Sequence, residues 1–169
     1  MLSEGTTAPE FELSGIDGAD DGDDSTYEMR EFSLTAMLED GPALLAFYPG
    51  DFSPVCTEEL CSLRDLQFEA VDRSTALYGV SRDSLFTHEG FAYEHDLQFP
   101  LSSDVEGEVC RDYDAVHETD VEGRGIEAGL PKRTLYVVDE DRTIRYAWQT
   151  EDPYEQPDLG PAVGTLAAD

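Results

Sequence analysis

The sequence is poor in positive charge. Its 169 residues include 10 Lys and Arg, only one of them a lysine, against 39 Asp and Glu, so the formal net charge is -29. A nucleic-acid-binding protein needs a basic surface that displaces counterions from phosphates, and an anionic membrane repels so acidic a surface. The few positive residues are also scattered along the chain. The composition therefore argues against nucleic acid and against a membrane as partners.

The acidic residues form no single patch, because they run from Glu4 to Asp169. An acidic face made for a basic partner would be concentrated in one region. A folded domain with this charge repels itself in dilute salt, and salt screens that repulsion. The spread of the acids therefore favours adaptation to a very salty solvent.

Long apolar runs and an apolar leader are also missing, so we expect a cytoplasmic protein. Hydrophobic residues make up 40% of the chain, which is enough for a folded core. The length predicts one domain over residues 1–169. Asparagine is absent, which excludes a glycosylation sequon and a Cys-His-Asn triad. The 3 cysteines cannot all pair within the chain, so thiol chemistry in a reducing compartment is the first hypothesis.

Hydrophobic periodicity predicts an α/β fold, with a central mixed sheet, helices on both faces and an N-terminal hairpin. A Gly/Asp loop is expected at 17–24 and an irregular tail at 153–169. The predicted strands cover 11–13, 27–30, 43–48, 77–81, 99–101, 135–138 and 144–148, and the predicted helices cover 33–39, 54–71, 84–95 and 106–114.

The segment 48–56, Tyr-Pro-Gly-Asp-Phe-Ser-Pro-Val-Cys, joins a buried strand to a helix, where ligands of α/β sheets gather. Ser53 is the expected N-cap and Pro54 the first helical residue. Cys56 is then the third residue, where free N–H groups and the helix dipole favour a thiolate. Glu58 and Glu59 in the same turn would oppose that charge.

A cation must therefore approach Cys56, and Arg133 at the start of a later strand is the predicted one. Its guanidinium could pair with Glu59 while it faces the sulfur. The Ser53 hydroxyl could donate to the sulfur or to a bound oxygen.

The stretch FYPGDFSPVCTEELC resembles the active-site signature of peroxiredoxins of the AhpC/TSA superfamily, and RTLYVVDEDRTIRY resembles the segment that carries their arginine. The resemblance spans roughly residues 5–148 and implies a thioredoxin-like fold. It implies that Pro49 shields the pocket, Ser53 hydrogen-bonds a peroxide, Cys56 attacks it and Arg133 orients it. Glu59 matches the acidic partner of that arginine. No metal or organic cofactor is implied.

Phe52, in the same loop, is expected to line the peroxide pocket. The three histidines (His88, His95 and His117) lack the spacing of a zinc site and are expected to be surface or capping residues.

The spacing Cys-Thr-Glu-Glu-Leu-Cys is similar to the bacterioferritin-comigratory (Q-type) subgroup, which implies that Cys61 resolves oxidised Cys56 as an intramolecular disulfide. Five helical positions place the two side chains about 140° apart, with roughly 7.5 Å of rise. Because a disulfide needs Cβ atoms about 3.8 Å apart, the start of the helix would have to unwind. Cys110 is expected to be a packed thiol or an alternative resolver.

The expected activity is the reduction of hydrogen peroxide and organic hydroperoxides, with a dithiol reductant that is a thioredoxin-like protein or a small thiol. Two alternatives stay open. One is a one-cysteine peroxidase resolved by an external thiol, and the other is a non-enzymatic redox sensor or holdase that uses Cys56. The sequence leaves open whether the protein is a monomer or a homodimer.

Overall fold

The structure, a computed structural model, describes residues 1–18, 27–69 and 76–168. These ranges form one sheet and five helices. The strands are β1 (Glu12–Gly18), β2 (Tyr27–Ser33), β3 (Ala43–Phe47), β4 (Ala76–Ser81), β5 (Leu101–Ser103), β6 (Thr134–Val138) and β7 (Ile144–Gln149), and the helices are α1 (Leu34–Met37), α2 (Pro54–Glu69), α3 (Leu85–His95), α4 (Glu108–Asp112) and α5 (Leu159–Ala167).

The seven strands lie in the order β2-β1-β5-β4-β3-β6-β7. Strands β3, β4 and β5 run parallel, while β1–β2, β1–β5, β3–β6 and β6–β7 are antiparallel pairs. The mixed sheet and the N-terminal hairpin predicted from the sequence are therefore confirmed. Because β3 and β4 are parallel, the loops that follow them meet at one edge of the sheet.

The β3 strand lies inside the sheet and contributes to two cores. Ala43, Leu45 and Phe47 pack on one face with α1 and α4, and Leu44 and Ala46 pack on the other face with α2, α3 and α5. Alternate side chains of a strand point to opposite faces, so a continuous apolar run is what a doubly covered strand requires. Helices therefore lie on both faces, as predicted.

The irregular tail predicted over 153–169 is wrong in its second half, where α5 forms. The Asp158 carboxylate caps this helix by accepting from the Gly160 N–H. Ala162 and Leu166, four positions apart, are its buried residues, and the helix packs on β3, β6 and β7, on the face of the sheet that α2 and α3 also cover. Only two buried residues, set among small ones, mark the helical period of this segment. The hydrophobic pattern of the sequence was therefore too weak to predict a helix.

The start of one predicted strand also shifts. The strand expected at 99–101 begins only at Leu101, because Pro100 has no N–H for the ladder and offers its carbonyl to the Gly79 N–H instead. The α2 helix begins at Pro54 as predicted and is described to Glu69, so the end expected near Val71 lies outside the described residues. Residues 19–24 of the predicted Gly/Asp loop lie outside them too. Within the described ranges, no helix combines the length and the apolar character needed to span a membrane.

Candidate active site

The loop between β3 and α2 is the first part of the site. Pro49 is a buried residue of this loop, and Ser53 is partly buried at its end. The Ser53 carbonyl accepts from the Thr57 N–H and from the Thr57 hydroxyl, each over 2.8 Å, which closes the first turn of α2. Pro54 fits the first helical position because the N–H that it lacks would have no partner there.

Phe52 adopts a left-handed backbone conformation with φ of 66°, which residues other than glycine rarely adopt. Its ring is 49% exposed and packs edge-on against Phe91 of α3, with 5.1 Å between ring centroids. The contact with α3 therefore supports a strained loop, and one side of the ring remains open to solvent.

Cys56 is the third residue of α2 and is fully buried. It packs on the sheet with Leu60 and Leu63 of the same helix. The sulfur therefore lies in an apolar layer, within the first turn of the helix, where backbone N–H groups have no intrahelical partner.

Arg133, the residue before β6, reaches this sulfur from the sheet. Its Nη2 lies 3.3 Å from the Cys56 sulfur and 2.9 Å from the Pro153 carbonyl oxygen, while its Nη1 donates to Oε2 of Glu59. Arg133 and Glu59 are each 1% exposed. One guanidinium thus joins the thiol, the carboxylate of α2 and the segment after β7.

The two glutamates of α2 lie further along the helix than the sequence predicted. Neither Glu58 nor Glu59 belongs to the first turn, and Glu58 is exposed. Burial raises the pKa of Glu59 to about 7, and the charge of Arg133 opposes that rise. Burial disfavours charge on Arg133, but Glu59 and Cys56 outweigh it and raise the pKa of the guanidinium. Glu59 therefore pairs with Arg133, as expected from the sequence, and the pair is buried.

The second cysteine of the helix is Cys61, which is partly buried. Both Cys56 and Cys61 are free, and α2 is continuous across them. The structure therefore holds a reduced form with an intact helix.

Cys110 lies in α4 and belongs to the core on the opposite face of the sheet from Cys56. Burial and the neighbouring Asp104 raise the pKa of the Cys110 thiol. The sheet separates this thiol from Cys56, so Cys110 is unsuited to resolve it in the folded protein.

The prediction that the histidines are surface or capping residues is wrong for His88 and His117, which are 0% and 4% exposed. Only His95, in the last turn of α3, is partly exposed, with its ring against Phe91. His88 stands in the first turns of α3, behind the Ser84 N-cap. Its neighbours Phe91 and Ala92 are also buried, so this helix face packs on the sheet.

Sequence reasoning also missed a polar group beside the loop. Nδ1 of His88 lies 2.7 Å from Oδ2 of Asp51, and the Tyr48 hydroxyl donates to Oδ1 of Asp51 over 2.6 Å. A carboxylate oxygen of Asp51, a carboxylate oxygen of Asp83 and a ring nitrogen of His88 could each bind a metal ion. These three atoms lie within 4.8 Å of one another. The available signal was topological, because Asp51 and Asp83 both follow parallel strands and therefore had to meet at one edge.

The chain resembles known proteins over a range that includes the residues of this site. The model of the AhpC/TSA family matches residues 5–147. A candidate peroxiredoxin of Mycobacterium tuberculosis is 32% identical over 149 residues, which cover 85% of this chain and 82% of that protein. The wheat (Triticum aestivum) protein named chloroplastic peroxiredoxin Q is 28% identical over 150 residues, covering 89% of this chain and 60% of its own.

Solved structures give the same result for the fold. Peroxidoxin BcpB from Mycobacterium tuberculosis matches with a TM-score of 0.76 and 28% identity, over 98% of this chain and 97% of that one. The AhpC protein of Mycobacterium bovis matches with a TM-score of 0.77 at 22% identity, over 98% of this chain and 91% of that one, which bears on the fold alone. The fold class and the Q-type resemblance inferred from the sequence are confirmed.

Proposed function

The chain belongs to the AhpC/TSA family, and we propose that this thiol peroxidase reduces hydrogen peroxide and organic hydroperoxides through a sulfenic acid on Cys56 that Cys61 resolves as an intramolecular disulfide. Membership of the family makes the protein a peroxiredoxin.

In the first step the Cys56 thiolate attacks the terminal oxygen of the peroxide. The S–O bond forms as the O–O bond breaks, so that sulfur loses an electron pair and the peroxide gains it. The departing hydroxide or alkoxide takes up a proton. Arg133, the Ser53 hydroxyl and the free N–H groups at the start of α2 stabilise that leaving oxygen, as donors aimed at developing charge do.

The observation that carries this step is the 3.3 Å contact between Nη2 of Arg133 and the Cys56 sulfur. A guanidinium is always charged and donates in a plane, so it can hold a thiolate and orient a peroxide at the same time. Its second nitrogen is fixed by Glu59, which sets the direction of the fork.

Pro49 and Phe52 complete the pocket in this proposal. Pro49 is buried in the loop and shields the reacting sulfur, while the half-exposed ring of Phe52 borders the entry. Apolar walls exclude water, which strengthens the electrostatic contacts inside the pocket.

In the second step the Cys61 thiol attacks the sulfenic acid, a disulfide forms and water leaves. The first turns of α2 must unwind for the two sulfurs to meet. A dithiol, either a thioredoxin-like protein or a small thiol, then reduces the disulfide by exchange and is itself oxidised.

The test is peroxide consumption in about 2 M KCl with dithiothreitol as the dithiol, for wild type, Cys56→Ser and Cys61→Ser. We expect no turnover from Cys56→Ser. We expect Cys61→Ser to turn over much more slowly than the wild type and to accumulate over-oxidised Cys56, because only dithiothreitol from solution can reduce its sulfenic acid. Cys110→Ser is the matched control and should turn over like wild type.

Each alternative predicts a different result. Full turnover by Cys61→Ser would select a one-cysteine peroxidase resolved by an external thiol. Oxidation of Cys56 without sustained consumption of peroxide by the wild type would select a redox sensor or holdase. Unchanged consumption by Cys56→Ser would remove Cys56 from the reaction.

A further inference from the structure

A buried polar network fixes the loop that precedes the helix of Cys56. The Tyr48 hydroxyl donates to Oδ1 of Asp51 over 2.6 Å, and Nδ1 of His88 lies 2.7 Å from Oδ2 of the same carboxylate. The side chains of Asp51 and His88 have no exposed surface. The network therefore joins the end of β3, the loop and α3 inside the protein.

The positions of the hydrogen atoms in this network follow from the atoms that can only accept a hydrogen bond. Nε2 of His88 lies 3.1 Å from the Ser102 carbonyl oxygen, which can only accept, so Nε2 carries a hydrogen. Oδ2 of Asp51 has no regular hydrogen bond among the described residues, and Nδ1 of His88 lies 2.7 Å from it. Two lone pairs at 2.7 Å would repel each other. One proton must therefore lie between Asp51 and His88.

Tyr48 serves the network as a donor. Its burial, together with Asp51, raises the pKa of the Tyr48 phenol well above its ordinary value, so the hydroxyl keeps its proton. The carboxylate of Asp51 is thus held on both oxygens, by a hydroxyl from the sheet and by a ring from α3.

The main chain of Asp51 is held as well. Its N–H donates to Oδ2 of Asp83 over 2.8 Å, and the Ser81 hydroxyl donates to the same oxygen over 2.6 Å. The next residue, Phe52, has the left-handed backbone, and Ser53 then begins the turn that carries Cys56. Strain of this kind persists only where the surroundings hold it in place.

We propose that Asp51 and His88 are positioning residues for the peroxide reaction, which hold the loop so that Ser53 and the first N–H groups of α2 stay aligned with the Cys56 sulfur. This inference rests on the proposed function. Neither residue touches the reacting atoms. They act through the loop, and the alignment that they hold matters for transferring an oxygen to sulfur more than for reactions that need no oriented leaving group.

The alternative interpretation is that Asp51, Asp83 and His88 bind a metal cation. Ligands of a tetrahedral ion at about 2.1 Å stand roughly 3.4 Å apart, well beyond the spacing between His88 and Asp51. Oδ2 of Asp83 already accepts two hydrogen bonds. A proton therefore fits the contact between His88 and Asp51 better than a metal does.

The test compares three variants of the reduced full chain. Asp51→Ala removes both contacts of the carboxylate, the one with Tyr48 and the one with His88. Asp51→Asn keeps an acceptor for Tyr48 and turns an N–H toward Nδ1 of a neutral His88, so it should restore the loop. Tyr48→Phe removes one hydrogen bond and keeps the ring, and serves if Asp51→Ala does not fold.

Two rates are measured for each variant, the single-turnover oxidation of Cys56 by hydrogen peroxide and its alkylation by iodoacetamide, which needs no aligned oxyanion donors. We expect Asp51→Ala to slow oxidation by about 10- to 100-fold and Tyr48→Phe by about 3- to 10-fold, while alkylation changes less than about 3-fold. Asp51→Asn should stay within about 3-fold of wild type in both rates. Asp104→Ala, which removes a buried carboxylate bound to the N–H groups of Val109 and Cys110 on the other face, is the control and should leave both rates unchanged.

The results distinguish a failure of the positioning role from a failure of the proposed function. A wild type whose Cys56 does not react with peroxide would end the proposed function itself. A reactive wild type together with unchanged oxidation in Asp51→Ala and Tyr48→Phe, or an equal loss of both rates, would overturn the positioning role. A melting temperature that rises with added zinc sulfate in wild type and not in Asp51→Asn would replace the shared proton by a metal centre.

Discussion

Nη2 of Arg133 lies 3.3 Å from the sulfur of Cys56, although 77 positions separate the two residues. The pairing of strands in the sheet brings these two residues together. Strand β6 pairs antiparallel with β3, and Thr134 stands opposite Phe47, so the residue before β6 arrives where β3 ends and the loop begins. A buried guanidinium beside a thiol is costly unless it is paired, and Glu59 supplies the partner.

The first prediction concerns the guanidinium itself. Arg133→Lys keeps a positive charge but cannot bond Glu59, Pro153 and the Cys56 sulfur at once, because an ammonium lacks the planar fork. We expect kcat/KM for hydrogen peroxide to fall on the order of 100- to 1,000-fold, the loss seen when one oxyanion donor is removed. The control is Arg145→Lys, which changes an exposed arginine paired with Asp139 and should leave kcat/KM within about 2-fold. Equal values for the two variants would contradict the role assigned to Arg133.

The second prediction concerns Glu59, whose burial raises its pKa from an ordinary 4.5 to about 7. Between these values the folded protein holds a proton that the unfolded chain releases, so this group stabilises the fold less as pH rises from about 4.5 to about 7. Glu59→Gln cannot titrate. The free energy of unfolding of the wild type should therefore fall relative to that of Glu59→Gln across this window, by on the order of 3 kcal/mol.

Urea unfolding at the two ends of the pH window measures this difference. Glu58→Gln is the matched control, because it changes the neighbouring, exposed glutamate of the same helix and should keep the pH dependence of the wild type. Parallel curves for the wild type and Glu59→Gln would show that Glu59 keeps its ordinary titration in the fold.

The elements that the sequence predicted well are those whose signal is local. The β3 strand is a continuous apolar run between Pro42 and the loop, and α2 opens with Ser53 and Pro54 at positions that suit an N-cap and a first helical residue. Such signals need no knowledge of the rest of the chain. They were enough to place Cys56 at a helix start.

What the sequence did not predict depends on contacts between distant segments. His88 is polar, and its burial becomes reasonable only once Asp51 and the Ser102 carbonyl are known to face its two nitrogens. The pairing of Arg133 with Glu59 was expected from the sequence, but only the structure shows that both groups are buried. Helix α5 was missed because its anchors are few and its packing site is made by other elements.

The third prediction concerns the helix that carries both cysteines. With α2 intact, Cys56 and Cys61 point about 140° apart, so formation of their disulfide should melt the first turns. We expect the far-UV dichroism of the wild type to lose helical signal after one equivalent of peroxide and to recover it with dithiothreitol. Cys61→Ser should show no such change, and Cys110→Ser should behave like the wild type.

Mass spectrometry connects the spectral change to the bond. Cys56 and Cys61 lie on one tryptic peptide, residues 31–64, while Cys110 lies on another, residues 83–111. The disulfide should therefore appear as a loss of two hydrogens from the first peptide alone. A mapped Cys56–Cys61 bond with unchanged dichroism would mean that the helix accommodates the disulfide without unwinding.

The fourth prediction concerns the net charge of -29. Salt shortens the Debye length from about 10 Å at 0.1 M to about 3 Å at 1 M, which screens the repulsion among acidic side chains of the folded state. The melting temperature should therefore rise by roughly 10 °C between about 0.1 M and about 2 M KCl. An equal rise with a nonionic solute at the same osmolality would assign the effect to solute exclusion instead of screening.

The fifth prediction concerns the segment after β7, which holds the start of α2 from outside. The Gln156 side chain donates from Nε2 to the Val55 carbonyl over 2.8 Å, and the Pro153 carbonyl accepts from Arg133. If the first turn must unwind before Cys61 can reach Cys56, the bond from Gln156 has to break first. Gln156→Ala should therefore speed disulfide formation by about 2- to 10-fold, which corresponds to the loss of one hydrogen bond of roughly 0.5–1.5 kcal/mol.

This effect should be confined to the second step of the reaction. Oxidation of Cys56 to the sulfenic acid takes place in the folded helix, so Gln156→Ala should leave that rate near the wild-type value, and quenched-flow alkylation of the 31–64 peptide measures both steps. Gln98→Ala, which truncates an exposed glutamine, is the control and should change neither rate. A Gln156→Ala variant that forms the disulfide no faster than the wild type would mean that the helix opens without releasing this contact. The barrier would then lie in the helix itself or in the guanidinium contact that holds Cys56 in place.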